Sequence, residues 1–111
     1  MGLDQYAYTT SDQGDPIEIA YWRKHPNLHG WMEDKYKDQG GREEFNCINL
    51  YLDEEDIDEL EASLKADLLP ETTGFFFGTS GPHHEEMTRT FIKRARGCLK
   101  KGKQVFYTSW W

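Results

Sequence analysis

The sequence has two cysteines, Cys47 and Cys98, far apart in a chain of 111 residues. A dense cysteine framework is what small secreted domains use to hold together, so a disulfide scaffold is excluded and a cytoplasmic chain with reduced thiols is expected. No apolar run approaches the length of a membrane span, and no membrane association is expected. The opening Met1–Tyr6 is neither basic nor apolar, so no secretory signal is expected, and Tyr at position 6 breaks the myristoylation pattern. Positive charge is also short. Thirteen Lys and Arg stand against 20 Asp and Glu, a net charge of −7, which opposes wholesale binding to a nucleic-acid backbone. There is no Gly-x-x-x-x-Gly-Lys loop, no nucleophile elbow and no Cys-x-x-Cys pair. Phosphate-loop, serine-hydrolase and zinc-ribbon chemistry thus lack their usual marks, and no cofactor is expected.

Aromatic residues are plentiful: six Phe, six Tyr and four Trp. They supply a packed core and argue against disorder. A chain of this length buries roughly 65% of its extended surface, enough for one core. One compact domain over residues 1–111 is therefore expected.

Leu3–Thr10 reads as a strand and Ser11–Pro16 as a turn. Over Ile17–Lys37, the residues Ile17, Ala20, Tyr21, Lys24, Leu28, Trp31 and Met32 recur at helical spacing, with Pro26 imposing a kink or a junction of two helices near His25. Phe45–Leu52 alternates as a strand. Asp53 caps a helix with Asp56 three residues on, its apolar stripe running Ile57, Leu60, Leu64, Leu68 before Pro70 stops it. Gly74–Gly78 reads as a short buried strand. Pro82 opens the last helix, whose stripe is Met87, Phe91, Ala95 and Cys98 with Ile92 and Leu99, and Gly102 ends it. Val105–Trp111 is the closing strand. The expected class is α/β or α+β: four strands and three helices in the order β-α-β-α-β-α-β, the sheet covered by helices and its strand directions open.

His25 and His29 stand four residues apart, His83 and His84 lie beside Glu85 and Glu86, and Cys47 could add a ligand. Pro26 interrupts the spacing and nothing else supports a metal, so none is expected. Gly78–Gly81 lies between strand and helix, where backbone donors can hold an anion, yet no lysine follows and Glu85 and Glu86 already complement the dipole. The segment 53–71 carries nine acids and one lysine, while 85–103 nets +5. The two helices either neighbour and neutralise each other or face different partners. Trp22 and Arg23 fall off the inward stripe, and Trp and Arg are common binding anchors; the opposing reading packs Trp22 on the sheet with Arg23 snorkelling over it. Trp110 and Trp111 alternate faces on a terminal strand, which leaves one of them for an interface.

Three blocks occur together: Tyr21-Trp22-Arg23-Lys24-His25-Pro26-Asn27-Leu28-His29-Gly30-Trp31-Met32-Glu33, Leu69-Pro70-Glu71-Thr72-Thr73-Gly74-Phe75-Phe76-Phe77-Gly78 and Val105-Phe106-Tyr107-Thr108-Ser109-Trp110-Trp111. With the opening Met1-Gly2-Leu3-Asp4, they resemble a family of small phage and bacterial proteins of unknown function, some of which carry the label phosphoglycerate kinase. One small domain without an arginine array for two phosphorylated ligands does not suit that label. The resemblance implies a phage-type accessory protein.

The expected function is a binding module that docks on a host or phage protein through Trp22, Arg23, His29, Trp110 and Trp111. The alternative is a small-molecule- or metal-dependent enzyme with a cleft near Asp4, Arg23, His29 and Tyr51. A structural subunit held together by its terminal Trp strand is a third reading, and it predicts an oligomer.

Overall fold

The computed structural model describes residues 2–11, 14–72 and 80–111. Among the described residues are four strands and three helices: β1 (Asp4–Thr9), β2 (Ile17–Arg23), α1 (Pro26–Asp38), β3 (Leu50–Leu52), α2 (Glu54–Lys65), α3 (Pro82–Lys100) and β4 (Val105–Trp110). The strands form one sheet in the order β2-β1-β4-β3, antiparallel throughout. The class is α+β and the chain makes one domain.

The element order departs from the expected alternation at Ile17–Lys37. Ile17–Arg23 is a strand, not the first half of a helix. The match to helical spacing is coincidental: Ile17 and Tyr21 of that set are exposed, and the strand buries Ile19 and Trp22 instead. Trp22 points into the core while Tyr21 and Arg23 point to solvent, and β-branched and aromatic residues favour the pleated form. Ile19 is an extra residue between the pairs Ala7↔Ala20 and Tyr8↔Glu18, a bulge on an edge strand. The Arg94 guanidinium donates to the Ile19 carbonyl at 3.0 Å and satisfies that edge. Lys24 then adopts a left-handed φ of 54° and turns the chain into α1, where Pro26 takes the first helical position.

Phe45–Leu52 also shrinks, to Leu50–Leu52. Cys47 sits at a left-handed φ of 61°, which an extended strand does not permit. The expected strand Gly74–Gly78 lies outside the described residues. Leu68 falls beyond the end of α2 and is exposed, so the α2 stripe is Ile57, Leu60 and Leu64 alone. Met87 is likewise at the surface of α3, while Phe91, Ile92 and Ala95 are buried.

Two helix ends follow the sequence closely. The Asp53 carboxylate accepts from the Asp56 backbone N–H at 2.8 Å, and the Asp56 carboxylate accepts from the Asp53 N–H at 3.0 Å, a reciprocal cap on orphan donors. Gly102, at φ 78°, closes α3. Its N–H reaches the Leu99 carbonyl and the Lys103 N–H reaches the Cys98 carbonyl, the paired bonds of a Schellman end.

All three helices pack on one face of the sheet. Gln5, Ala7, Trp22 and Tyr107 from the strands meet Leu28 and Met32 of α1 and Phe91, Ile92 and Ala95 of α3, all of them buried. Each large apolar side chain removed from water here stabilises the fold by about 1.5–3 kcal/mol. The acidic α2 and basic α3 are neighbours, and they partly neutralise each other through Arg96. Arg96 donates to both Glu61 oxygens at 2.9 and 3.0 Å and to Asp58 at 2.8 Å. No helix among the described residues is long and apolar enough to cross a membrane.

Candidate functional site

The antiparallel register sets Arg23, Asp4 and Trp110 side by side across β2, β1 and β4. Their side chains leave the sheet on the face opposite the helices, because Trp22, Gln5 and Ser109, next along each strand, are buried against the core. With Gly2 and Trp111 these three line a cleft of about 250 Å³. The Tyr21 hydroxyl donates to an Asp4 carboxylate oxygen at 2.9 Å, and that bond holds the phenol proton and raises the Tyr21 pKa. Trp111 is fastened at three points. Its indole N–H donates to the Phe45 carbonyl at 2.9 Å, its backbone N–H to Asn46 Oδ1 at 3.0 Å, and Asn46 Nδ2 donates to its carbonyl at 2.9 Å. Trp110 is 64% exposed.

Of the residues expected in a partner-binding or ligand site, Asp4, Arg23, Trp110 and Trp111 come together here. Trp22 does not. It is fully buried, donates its indole N–H to Thr88 Oγ1 at 3.1 Å and meets the Phe91 ring edge-on at 5.2 Å; as placed, it is out of a partner's reach. His29 lies beneath the cleft with no exposed surface to speak of, its ring edge-on to Trp111 at 6.2 Å and its Nδ1 2.9 Å from the Tyr107 hydroxyl. That hydroxyl also accepts from Gln5 Nε2 at 3.1 Å, and the tautomer of the neutral His29 ring sets which of the two groups donates in their own pair. Burial pushes the His29 pKa down to about 4 and the Tyr107 pKa up. Tyr51 stands on β3 against Phe106, away from the cleft.

The other histidines are not set for a metal. His25 is at the N-cap of α1, not on its helical face, so it does not share a face with His29. Its ring stacks on His84 at 4.6 Å, 6° from parallel, and its Nδ1 is 2.7 Å from Ser80 Oγ. Burial, then the neighbouring His84 and His83, pushes the His25 pKa down to about 3. Both nitrogens of His84 are engaged: Nδ1 accepts from the Gly81 N–H at 2.9 Å, and Nε2 lies 2.8 Å from the Arg23 carbonyl. Among the described residues, no group of three or more His, Cys, Asp or Glu could hold a metal ion.

A further feature was not legible in the sequence. The face of the sheet away from the helices carries a row of aromatic rings: Tyr21 to Tyr6 at 5.2 Å, Tyr6 to Tyr8 at 6.1 Å, Tyr8 to Phe106 at 5.4 Å and Phe106 to Tyr51 at 5.2 Å. Alternation of Tyr6 and Tyr8 with buried Gln5 and Ala7 was the available signal; it needed the strand order to become a surface. No described helix covers these rings.

No protein-family model matches the chain, and no curated protein and no solved structure matches it.

Proposed function

We propose that the chain is a small accessory protein of the phage type that docks on a partner protein, from host or phage, through the open face of its sheet and alters that partner's activity. One observation carries this reading: the aromatic row Tyr21–Tyr6–Tyr8–Phe106–Tyr51 has exposed ends at Tyr21 and Tyr51, half-buried Tyr6 and Tyr8 and a buried Phe106 between them, with the exposed Trp110 nearby. Contiguous apolar surface rimmed by polar groups, here Glu18, Asp4 and Arg23, is a mark of interaction sites, and Tyr and Trp are frequent anchors. The docking role passes from the buried Trp22 to these rings. The phage context rests on the sequence blocks alone.

The test is site-specific photocrosslinking. A benzophenone side chain at Tyr8 is expected to capture one host or phage protein of defined mass, and the same group at Lys93 on α3 is not. Tyr21→Ser with Trp110→Ser is expected to abolish that adduct in a folded variant. Equal capture from Tyr8 and Lys93, or an adduct that survives the double substitution, overturns the reading.

A further inference from the structure

The geometry points to a second binding site at the end of the docking face, sharing Trp110 with it: the cleft between Arg23, Asp4, Trp110 and Trp111 holds a small zwitterion, an α-amino acid with an apolar side chain. Arg23 and Asp4 are direct cross-strand partners, yet no ion pair joins them. Asp4 takes its hydrogen bond from Tyr21, and the Arg23 guanidinium makes no hydrogen bond or ion pair with any described residue. Arg42 likewise makes no ion pair among the described residues, whereas two other arginines do. Arg89 pairs with Glu85 at 2.8 Å, and Arg96 pairs with Glu61 and Asp58. A cation and an anion held apart beside one cleft meet a ligand that carries both charges.

The remaining features agree. The cleft is about 250 Å³, just under the range of roughly 300–1,000 Å³ typical of drug-sized ligands, so its occupant is small. The Arg fork matches a carboxylate in bidentate fashion. Asp4 receives an ammonium, and an indole face attracts the same cation. Trp111 is fixed before binding by its bonds to Phe45 and Asn46, which lowers the ordering cost. Gly2 contributes no side chain to the lining, which leaves room for the ligand's own. The comparable cavity beside His25, about 240 Å³, has Asp67 and Glu85 in its lining and no Arg or Lys; it lacks the opposed charges.

The experiment is two-dimensional NMR on the whole chain, read at the indole N–H signals of the four tryptophans. L-Phenylalanine, N-acetyl-L-phenylalanine and L-phenylalaninamide are each titrated to about 10 mM, well above a Kd on the order of 1 mM. Saturable shifts are expected at Trp110 and Trp111 with L-phenylalanine, while Trp22 and Trp31 stay in place. Each blocked form is expected to bind at least about tenfold more weakly, since it leaves one charge unmet. Arg23→Gln is expected to lose binding while keeping a folded spectrum. Three results overturn the assignment: no saturable shift with any probe, an amide that binds as well as the free acid, or an acetylated form that binds as well as the free amine. The last would make the ligand a chain end. None of these bears on docking, which is judged by crosslinking at Tyr8.

Discussion

Acid should destabilise this fold from about pH 6.5 downward, and the reason is the two buried imidazoles. His25 and His29 are 3% and 1% exposed, with pKa values pushed down to about 3 and about 4. What faces His25 is Ser80, the stacked His84 and the nearby His83; what faces His29 is Tyr107, Phe45 and Trp111. Asp67 and Glu85 line the cavity beside His25, but no described carboxylate bonds to either ring. The unfolded chain takes up protons at both histidines near pH 6.5, whereas the folded chain does so only near pH 3 to 4. Stability is therefore complete above about pH 6.5 and falls as pH drops, at about 1.4 kcal/mol per pH unit for each ring. From pH 7.5 to 4.5 the two together cost about 5 kcal/mol, against a typical total of about 5–15 kcal/mol. Urea unfolding followed by tryptophan fluorescence across that range measures this directly, and the midpoint is expected to fall steeply. His25→Gln and His29→Gln, even if less stable at pH 7.5, are each expected to flatten the slope by about half. A midpoint constant between pH 7.5 and 4.5, or NMR titration of either ring in the folded state near pH 6.5, refutes the reasoning.

Other substitutions separate core from surface. Trp22→Ala is expected to cost about 3–5 kcal/mol, seen as a large loss in denaturation midpoint, because it empties a fully buried site and orphans the Thr88 contact. Arg23→Ala is expected to leave that midpoint nearly unchanged, since the guanidinium makes no hydrogen bond or ion pair with a described residue. Gly30→Ala is expected to destabilise by about 1–3 kcal/mol despite improving helix propensity. Its new Cβ would stand 1.8 Å from Thr72 Oγ1, and the chain that follows Pro70 must move. Gly97→Ala meets nothing within 4 Å and is expected to stabilise by about 0.5–1 kcal/mol in the same assay. Arg96→Gln is expected to lower the melting temperature at low salt, with the difference shrinking toward about 1 M salt, as the α2–α3 pairs are partly exposed.

The candidate site was half legible. Asp4, Arg23, Trp110 and Trp111 stood out as polar and aromatic residues near the chain's ends and a turn, and the register brings them together. Trp22 and Tyr51 did not join them, because pleat and strand order alone decide which side of a sheet a residue meets. Trp22 had two readings, binding anchor or core, and the strand decided for the core, where its side chain is fully buried. The mutual neutralisation of α2 and α3 was one of two open readings, decided when Arg96 met Glu61 and Asp58.

By itself, the sequence determined what local chemistry controls. The Asp53 and Asp56 cap, the Pro82 start and Gly102 end of α3, the closing Val105 strand and the single core of a chain this length follow from capping groups, backbone restrictions and apolar spacing within a few residues. Only the tertiary structure decided that Ile17–Arg23 pairs as a strand, that the sheet runs β2-β1-β4-β3, and that the described helices lie on one of its faces. Those outcomes depend on partners up to about a hundred positions away, as when β1 pairs with β4 through Asp4↔Trp110, and no local pattern specifies which strand supplies the neighbouring hydrogen bonds.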